Sequence, residues 1–179
     1  MTTFGSDSRV LLWDLYNEPG NSGQNEKSLA LVKAVFAWAR AAKPEQPLSV
    51  GVWFGNKALN DYQLAASDII TFHNYSDAAN LEKEIQSLKK QQSRPVICTE
   101  YMARTNKSTF TTCLPVLKKE QVGCYNWGLV SGKTNTIFPW GSTKDSPEPK
   151  LWFHDIFRSD GTPFDRDEVM LIRKLTKPE

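Results

Sequence analysis

Short apolar segments alternate with helical segments along the whole chain, and this alternation limits the folds that the chain can adopt. Five runs have the length and residue types of buried β-strands, and a turn or loop follows each of them. They lie at 10–16, 48–54, 68–75, 95–101 and 122–130. Because such alternation is typical of parallel sheets with right-handed crossovers, the sequence predicts an α/β fold with about five parallel strands and flanking helices.

Apolar residues recur every three or four positions between these strands, as on one face of a helix. The predicted helices lie at about 26–42, 80–91, 108–120 and 166–175. Pro115 leaves the start of the third helix open, and residues 57–66 form either a short helix or an irregular connection. We see no internal repeat and no linker, so residues 1–179 are expected to form a single domain.

Composition and charge argue against several classes of protein. The formal net charge is only +2 and no basic run stands out, so neither nucleic acid nor a membrane surface is an expected partner. No stretch is long and apolar enough to span a bilayer. The three cysteines are odd in number and lack the spacing of metal ligands, which argues against a disulfide framework. We expect no metal and no cofactor.

The N-terminal residues 1–7 do not have the pattern of a signal peptide. Free cysteines and the missing signal peptide are typical of a cytoplasmic protein. A fragment of an exported protein could show the same features. The sequence therefore leaves the compartment open.

Polar and aromatic residues stand where four of the predicted strands end. They are Asn17 and Glu18, His73 and Tyr75, Glu100, and Trp127. One glutamate in a turn is ordinarily a solvated carboxylate. The carboxyl ends of parallel strands, however, meet at one edge of a sheet, where α/β proteins place their chemistry. Several such endings on successive strands therefore predict a common functional cleft.

Two carboxylates across a cleft are the groups that cleave a glycosidic bond. One must stay protonated to assist the leaving group and the other must be ionised to attack, and Glu18 and Glu100 are the candidates. Tyr75 could donate a hydrogen bond to the ionised partner, and Asn17 could hold a sugar hydroxyl. Trp127 offers an apolar face on which a sugar ring can stack.

Four motifs resemble strands four, six, seven and eight of a glycoside hydrolase barrel. They are Trp13-Asp-Leu-Tyr-Asn-Glu-Pro19, Phe72-His-Asn-Tyr75, Cys98-Thr-Glu-Tyr101 and Tyr125-Asn-Trp127. Each motif alone is weak, but their order on successive strands is similar to that of the large retaining clan of family 5 cellulases and family 2 β-glycosidases. The resemblance covers nearly the whole chain and implies cleavage of β-linked oligo- or polysaccharides with retention of configuration.

The resemblance also implies roles for individual residues. Glu18 on strand four maps to the acid/base, with Asn17 beside it, and Glu100 on strand seven maps to the nucleophile. The remaining matches are His73 and Tyr75 on strand six and Trp127 on strand eight. No cofactor or metal takes part in this chemistry.

The chain departs from the family in its number of strands. A full barrel has eight strands and about 250 residues, whereas this sequence has five strand candidates in 179 residues. We therefore expect a partial (β/α) barrel that corresponds to strands four to eight, either a natural short form or an excised piece. The Arg and His that the family carries on strands two and three are missing, so the alternative function is a catalytically inactive carbohydrate-binding remnant, or a fragment that needs a partner to close it.

Missing strands would leave two open sheet edges, at 10–16 and 122–128. Unpaired edges favour association, so the sequence predicts a homodimer in which one copy covers the open side of the other. A five-stranded sheet that curls tightly enough to bury its own face is the rival outcome.

The segment Gly128-Leu-Val-Ser-Gly-Lys-Thr134 resembles a phosphate-binding loop, but it is one residue short of the required spacing. No helix pattern follows it. We interpret the segment as a substrate-lining loop, with Lys133, Asn135 and Trp140 as candidate sugar contacts. Trp140 could instead pack the loop against the surface. His154 is interpreted as a residue of a packed turn.

Overall fold

The computed structural model describes residues 1–53 and 55–177, in which five short strands alternate with helices. The strands are β1 (Trp13–Asp14), β2 (Leu48–Ser49), β3 (Ile70–His73), β4 (Val96–Tyr101) and β5 (Gly123–Asn126). The helices are α1 (Ser28–Ala41), α2 (Lys57–Ala66), α3 (Ala78–Gln91), α4 (Phe110–Lys119) and α5 (Arg166–Leu175). Single 3-10 turns lie at Asn25–Lys27 and Arg104–Asn106. The predicted α/β class is confirmed, and residues 57–66 form a helix.

The strands are shorter than the sequence predicts. β1 and β2 pair in parallel over two residues each, Trp13 with Leu48 and Asp14 with Ser49. Residues before Trp13 lie outside this ladder, and Leu11 is 64% exposed, so the prediction of a fully buried strand at 10–16 is wrong. Beyond β2, Val52 forms a further bridge, and Phe54, the end of the predicted strand, lies outside the described residues.

The chain divides into two compact units. The first unit comprises residues 1–73 and 88–97, and the second comprises residues 74–87 and 98–179. The prediction that the whole chain behaves as one domain stays a prediction. No helix in the described part of the chain has both the length and the apolar character needed to cross a membrane.

The core of the first unit forms because α1 and α2 bury their apolar stripes against β2. Its buried residues are Val32, Phe36, Ala39, Leu48, Val50 and Leu59. Burial of each large side chain of this kind contributes about 1.5–3 kcal/mol, so this cluster fixes the strand that it covers. Backbone hydrogen bonds extend the strand order, from Val52 N–H to Thr71 O and from Ile70 N–H to Pro95 O.

In the second unit, two backbone hydrogen bonds hold the end of β4. Asn74 N–H donates to Glu100 O at 3.0 Å, and Trp127 N–H donates to Tyr101 O at 2.9 Å. β5 lies beside the end of β4 in this unit. Asp165 caps α5 by accepting hydrogen bonds from the first backbone N–H groups of the helix, which fixes where it begins. These contacts position the residues that follow β4 and β5.

Candidate active site

Glu18 and His73 form a nearly buried pair in the first unit. His73 Nδ1 lies 2.9 Å from Glu18 Oε1, and the two side chains are 3% and 12% exposed. Asn21 Nδ2 donates a second hydrogen bond to Glu18 Oε2 at 2.6 Å. Both carboxylate oxygens of Glu18 therefore have a partner, and the side chain is held in one orientation.

The backbone of Glu18 adopts a conformation that seven other non-glycine residues of the described chain share. Its φ is +46°, in the left-handed region that residues other than glycine rarely adopt. The buried Pro19 and Gly20 follow directly, and Gly20 N–H donates to Ser28 Oγ, which ties the turn to the start of α1. Strained backbone of this kind clusters at functional sites, because the surrounding structure must hold it. Asn17 is exposed beside Glu18.

Glu100 and Tyr75 form the corresponding pair in the second unit. Glu100 lies near the end of β4, and Tyr75 Oη–H donates to Glu100 Oε2 at 2.7 Å. β3 ends at His73, so Tyr75 lies two residues beyond the strand, although the sequence predicted a strand that reaches it. A hydrogen bond to the charged form of a carboxylate favours that form, as a nucleophile requires. The predicted contact between Tyr75 and a glutamate is present.

A cavity of about 600 Å³ lies in the second unit, beside Tyr75. Its lining residues are Trp127, Thr134, Asn135, Thr136, Phe138, Pro139, Trp140, Gly141, Ser142, Thr143, Lys144 and His154. Two predicted sugar-binding residues, Trp127 and Trp140, are among them, and so is Asn135. Lys133 is exposed and lies outside this lining. Such a volume is typical of sites for small molecules.

Trp140 both anchors its loop and presents a free surface. Its ring packs edge-on against Tyr75 and Phe153, at 4.9 Å and 4.8 Å between ring centroids. The residue is nevertheless 60% exposed.

The loop conformation of residues 128–134 differs from that of a phosphate-binding loop, because turns rather than a helix follow Thr134 in the described chain.

His154 is a residue whose importance the sequence argument missed. The imidazole is buried, as expected for a packed turn, and its Nδ1 lies 2.5 Å from Met102 O. It also lines the cavity and contacts Tyr75, with 5.7 Å between ring centroids. Burial lowers the pKa of His154 below its ordinary value. The one local signal in the sequence is Gly128, because a glycine can mark a close approach of two backbone segments. Hydrophobic periodicity does not indicate that the residue close to Gly128 is His154.

Solved structures share this fold. The β-glucuronidase of Ruminococcus gnavus matches with a TM-score of 0.64 and 16% identity, over 94% of this chain and 32% of that chain. The endo-β-1,4-mannanase of Thermotoga petrophila matches with a TM-score of 0.64 and 16% identity, over 96% of this chain and 44% of that chain. The chain thus spans about a third of the glucuronidase. The predicted partial (β/α) barrel is confirmed by this likeness.

Sequence comparison identifies the family. A search of curated proteins finds no match. The sequence profile of "Cellulase (glycosyl hydrolase family 5)", however, matches residues 1–133, about three quarters of the chain. This match agrees with the resemblance carried by the motifs at the strand ends. The chain belongs to the cellulase family, glycosyl hydrolase family 5.

Proposed function

We propose that the chain is a retaining glycoside hydrolase that cleaves β-linked saccharides, with Glu100 as nucleophile and Glu18 as acid/base. Membership of family 5 supports glycoside hydrolysis and a carbohydrate substrate. The observation that carries the proposal is the hydrogen bond from Tyr75 to Glu100 Oε2, because it favours an ionised and oriented carboxylate. Glu18 contacts a different partner, His73, and this contact supports a separate role for the second carboxyl group.

The reaction proceeds in two displacements. In the first, a Glu100 oxygen bonds to the anomeric carbon while Glu18 transfers its proton to the departing glycosidic oxygen. In the second, Glu18 takes a proton from water, and the water oxygen displaces Glu100 from the anomeric carbon. Each step inverts the carbon, so the product retains the starting configuration. No metal or cofactor is required.

The remaining predicted residues bind the sugar in this proposal. Asn17 holds a hydroxyl next to the reacting carbon, and Trp127 and Trp140 supply ring faces for stacking. The exposure of the two tryptophans supports this role, since both present apolar surface to solvent. Lys133 lies on the loop before the cavity lining and contacts an outer sugar hydroxyl.

Mechanism-based labelling tests the proposal. The protein is incubated with activated 2-deoxy-2-fluoro β-glycosides of the gluco, manno, galacto and xylo series, followed by intact-mass analysis and peptide mapping. The fluorine slows breakdown of the glycosyl-enzyme, so one glycosyl mass is expected on the peptide that holds Glu100. Glu100→Gln should abolish the label, whereas Glu26→Gln, at an exposed glutamate, should keep it.

Two results contradict the proposal. The first is a label on a different residue. The second is the absence of label across the whole series on a sample that is folded by circular dichroism. If such a sample binds saccharides without turnover, the chain is a carbohydrate-binding protein instead.

We also infer that copies of the chain associate, most simply as a homodimer through sheet edges. Exposed apolar side chains near β1 and after β5 support this, namely Leu11, Leu129 and Val130. Light scattering at micromolar concentration is expected to give twice the monomer mass. A monomer mass under these conditions contradicts the inference.

A further inference from the structure

His154 lines the cavity, and one nitrogen of its buried ring has no hydrogen-bond partner in the described part of the chain. The residue is 1% exposed, and its Nε2 has no hydrogen bond to any described residue. Buried polar atoms without a partner are rare, because each costs about 1–3 kcal/mol. Because the residue that carries this atom lines a 600 Å³ cavity, a ligand in the cavity is a candidate partner for it.

The other ring nitrogen determines what kind of group Nε2 can bind. Nδ1 lies 2.5 Å from Met102 O, and a carbonyl oxygen only accepts hydrogen bonds, so Nδ1 carries the hydrogen. Burial lowers the pKa of His154, which keeps the ring neutral at neutral pH. Its Nε2 then has a free lone pair and can only accept a hydrogen bond. The ligand must supply a donor.

The rest of the lining indicates which donor this is. The cavity residues include hydroxyl, amide and tryptophan side chains, one cation, Lys144, and no carboxylate, so the lining disfavours an ammonium group. Trp127 and Trp140 provide the aromatic surface on which sugar rings stack. A molecule that has hydroxyl groups and an apolar face fits this lining, and a saccharide has both.

We propose that His154 is a substrate-binding residue whose Nε2 accepts a hydrogen bond from a hydroxyl group of a saccharide in this cavity. The choice of a saccharide rests on the proposed glycoside hydrolase function. Tyr75 links the cavity to the proposed nucleophile, since it donates to Glu100 and its ring contacts both Trp140 and His154. The bound sugar would therefore adjoin the one that Glu100 attacks.

Two substitutions test the roles of the two ring nitrogens of His154 separately. His154→Asn keeps an N–H group where Nδ1 donates to Met102 O but removes the acceptor at Nε2. His154→Gln places an amide oxygen near the position of Nε2. Calorimetric titration with non-hydrolysable methyl 1-thio-β-glycosides and the matching disaccharides should show about 10-fold weaker binding to the Asn variant. The Gln variant should recover most of this loss.

Ligands that lack one hydroxyl group distinguish a direct contact of His154 with the sugar from a purely structural role of His154. Replacing each sugar hydroxyl in turn by fluorine, which cannot donate, should weaken binding to the wild type at one position by about 10-fold. The same replacement should have no effect in His154→Asn. Trp140→Ala should also weaken binding, whereas Trp38→Ala, at an equally exposed tryptophan of α1, should not.

The outcomes distinguish this inference from the proposed function. Equal fluorine penalties in wild type and His154→Asn, or no saccharide binding at all, overturn the inference even if Glu100 is labelled. A hydroxyl penalty that depends on His154, in a protein whose Glu100 is never labelled, supports the binding role and overturns only the hydrolase proposal.

Discussion

The phenolic oxygen of Tyr75 lies 2.7 Å from Glu100 Oε2 and donates a hydrogen bond to it across 25 residues of sequence. The backbone repeats this connection, because the N–H of the preceding residue, Asn74, donates to Glu100 O. The edge-on packing of Tyr75 against Trp140 then fixes the ring that carries the hydroxyl. The proposed nucleophile is thus held by a side chain that the cavity loop itself positions.

Tyr75→Phe tests how much this hydrogen bond contributes. Hydrogen bonds to charged groups contribute about 1.5–3 kcal/mol, so we expect kcat/KM for an aryl β-glycoside to fall by about 10- to 100-fold. The fall should lie mainly in kcat, since the bond supports the attacking group. Tyr62→Phe is the control, because that ring packs against Phe36 in the first unit. Kinetics of Tyr75→Phe within twofold of the wild type would contradict the assignment.

Azide can distinguish the roles of the two glutamates. In Glu18→Ala the nucleophile remains, so azide should attack the glycosyl-enzyme and give a β-glycosyl azide. In Glu100→Ala azide replaces the nucleophile itself and should give the α-glycosyl azide, because a single displacement inverts the carbon. Proton NMR of the products reads the configuration. The opposite pairing of variant and product would exchange the two roles.

Much of the fold was predictable because its helices and strands follow local patterns. The stripe of Leu29, Val32, Phe36 and Ala39 predicted α1, and all of these residues except the half-buried Leu29 are buried. The strand lengths were less predictable, because pairing depends on partners far away in sequence. Leu11 is an apolar residue in an apolar run, yet the ladder begins only at Trp13 and leaves it exposed.

The candidate site was predictable only in part for the same reason. Glu18 and Glu100 could be proposed from the sequence because motifs at strand ends are local. The partners of the cavity histidine were not, because they depend on backbone geometry. Met102 has a φ of +81° and presents its carbonyl to His154 Nδ1. No periodicity in the sequence indicates a left-handed residue two positions beyond Glu100.

Gly128→Ala should destabilise the second unit and weaken saccharide binding. Gly128 has a φ of +81°, and an added Cβ would lie 2.7 Å from His154 Cβ and 2.8 Å from Asp155 Oδ1. Gly161→Ala is the matched control, since its φ is +83° and nothing lies within 4 Å. We expect thermal unfolding to show a loss of about 1–3 kcal/mol for the control, from backbone strain alone, and a larger loss for Gly128→Ala. Equal losses would mean that the close approach has no consequence.

Arg104 and Glu168 form a buried ion pair that holds the segment carrying His154. The guanidinium donates to both carboxylate oxygens of Glu168, at 3.0 Å and 2.6 Å, and also to Trp152 O and Asp155 O. Arg104→Met should cost about 3–5 kcal/mol, because it leaves a buried charge without its partner. Adding Glu168→Met should recover part of this loss. Chemical denaturation measures each value.

The exposed pair of Arg9 and Asp7 is the control for the buried one. Arg9 is 83% exposed, so Arg9→Met should leave the free energy of unfolding almost unchanged. A loss in Arg104→Met as small as in Arg9→Met would contradict the structural role of the buried pair.

Asp68 should make the stability of the first unit depend on pH. Arg40 donates two hydrogen bonds to this carboxylate, and together with the Leu48 N–H it holds the pKa of Asp68 below its ordinary value. The unfolded chain therefore binds the proton at higher pH than the folded chain does. The stabilisation is complete above the unfolded pKa, about 3.9, and is lost as the pH falls through the lower folded pKa.

Arg40→Gln removes the main cause of this shift. Because the two side chains are 49% and 38% exposed, solvent screening limits the expected loss to about 0.5–1 kcal/mol at neutral pH. Urea unfolding at neutral pH and again near pH 3 measures it, and the difference between wild type and variant should shrink in acid. Because the loss is electrostatic, it should also shrink in about 1 M salt. A difference that stays constant with pH would show that Arg40 stabilises the unit by packing its aliphatic stem rather than by its charge.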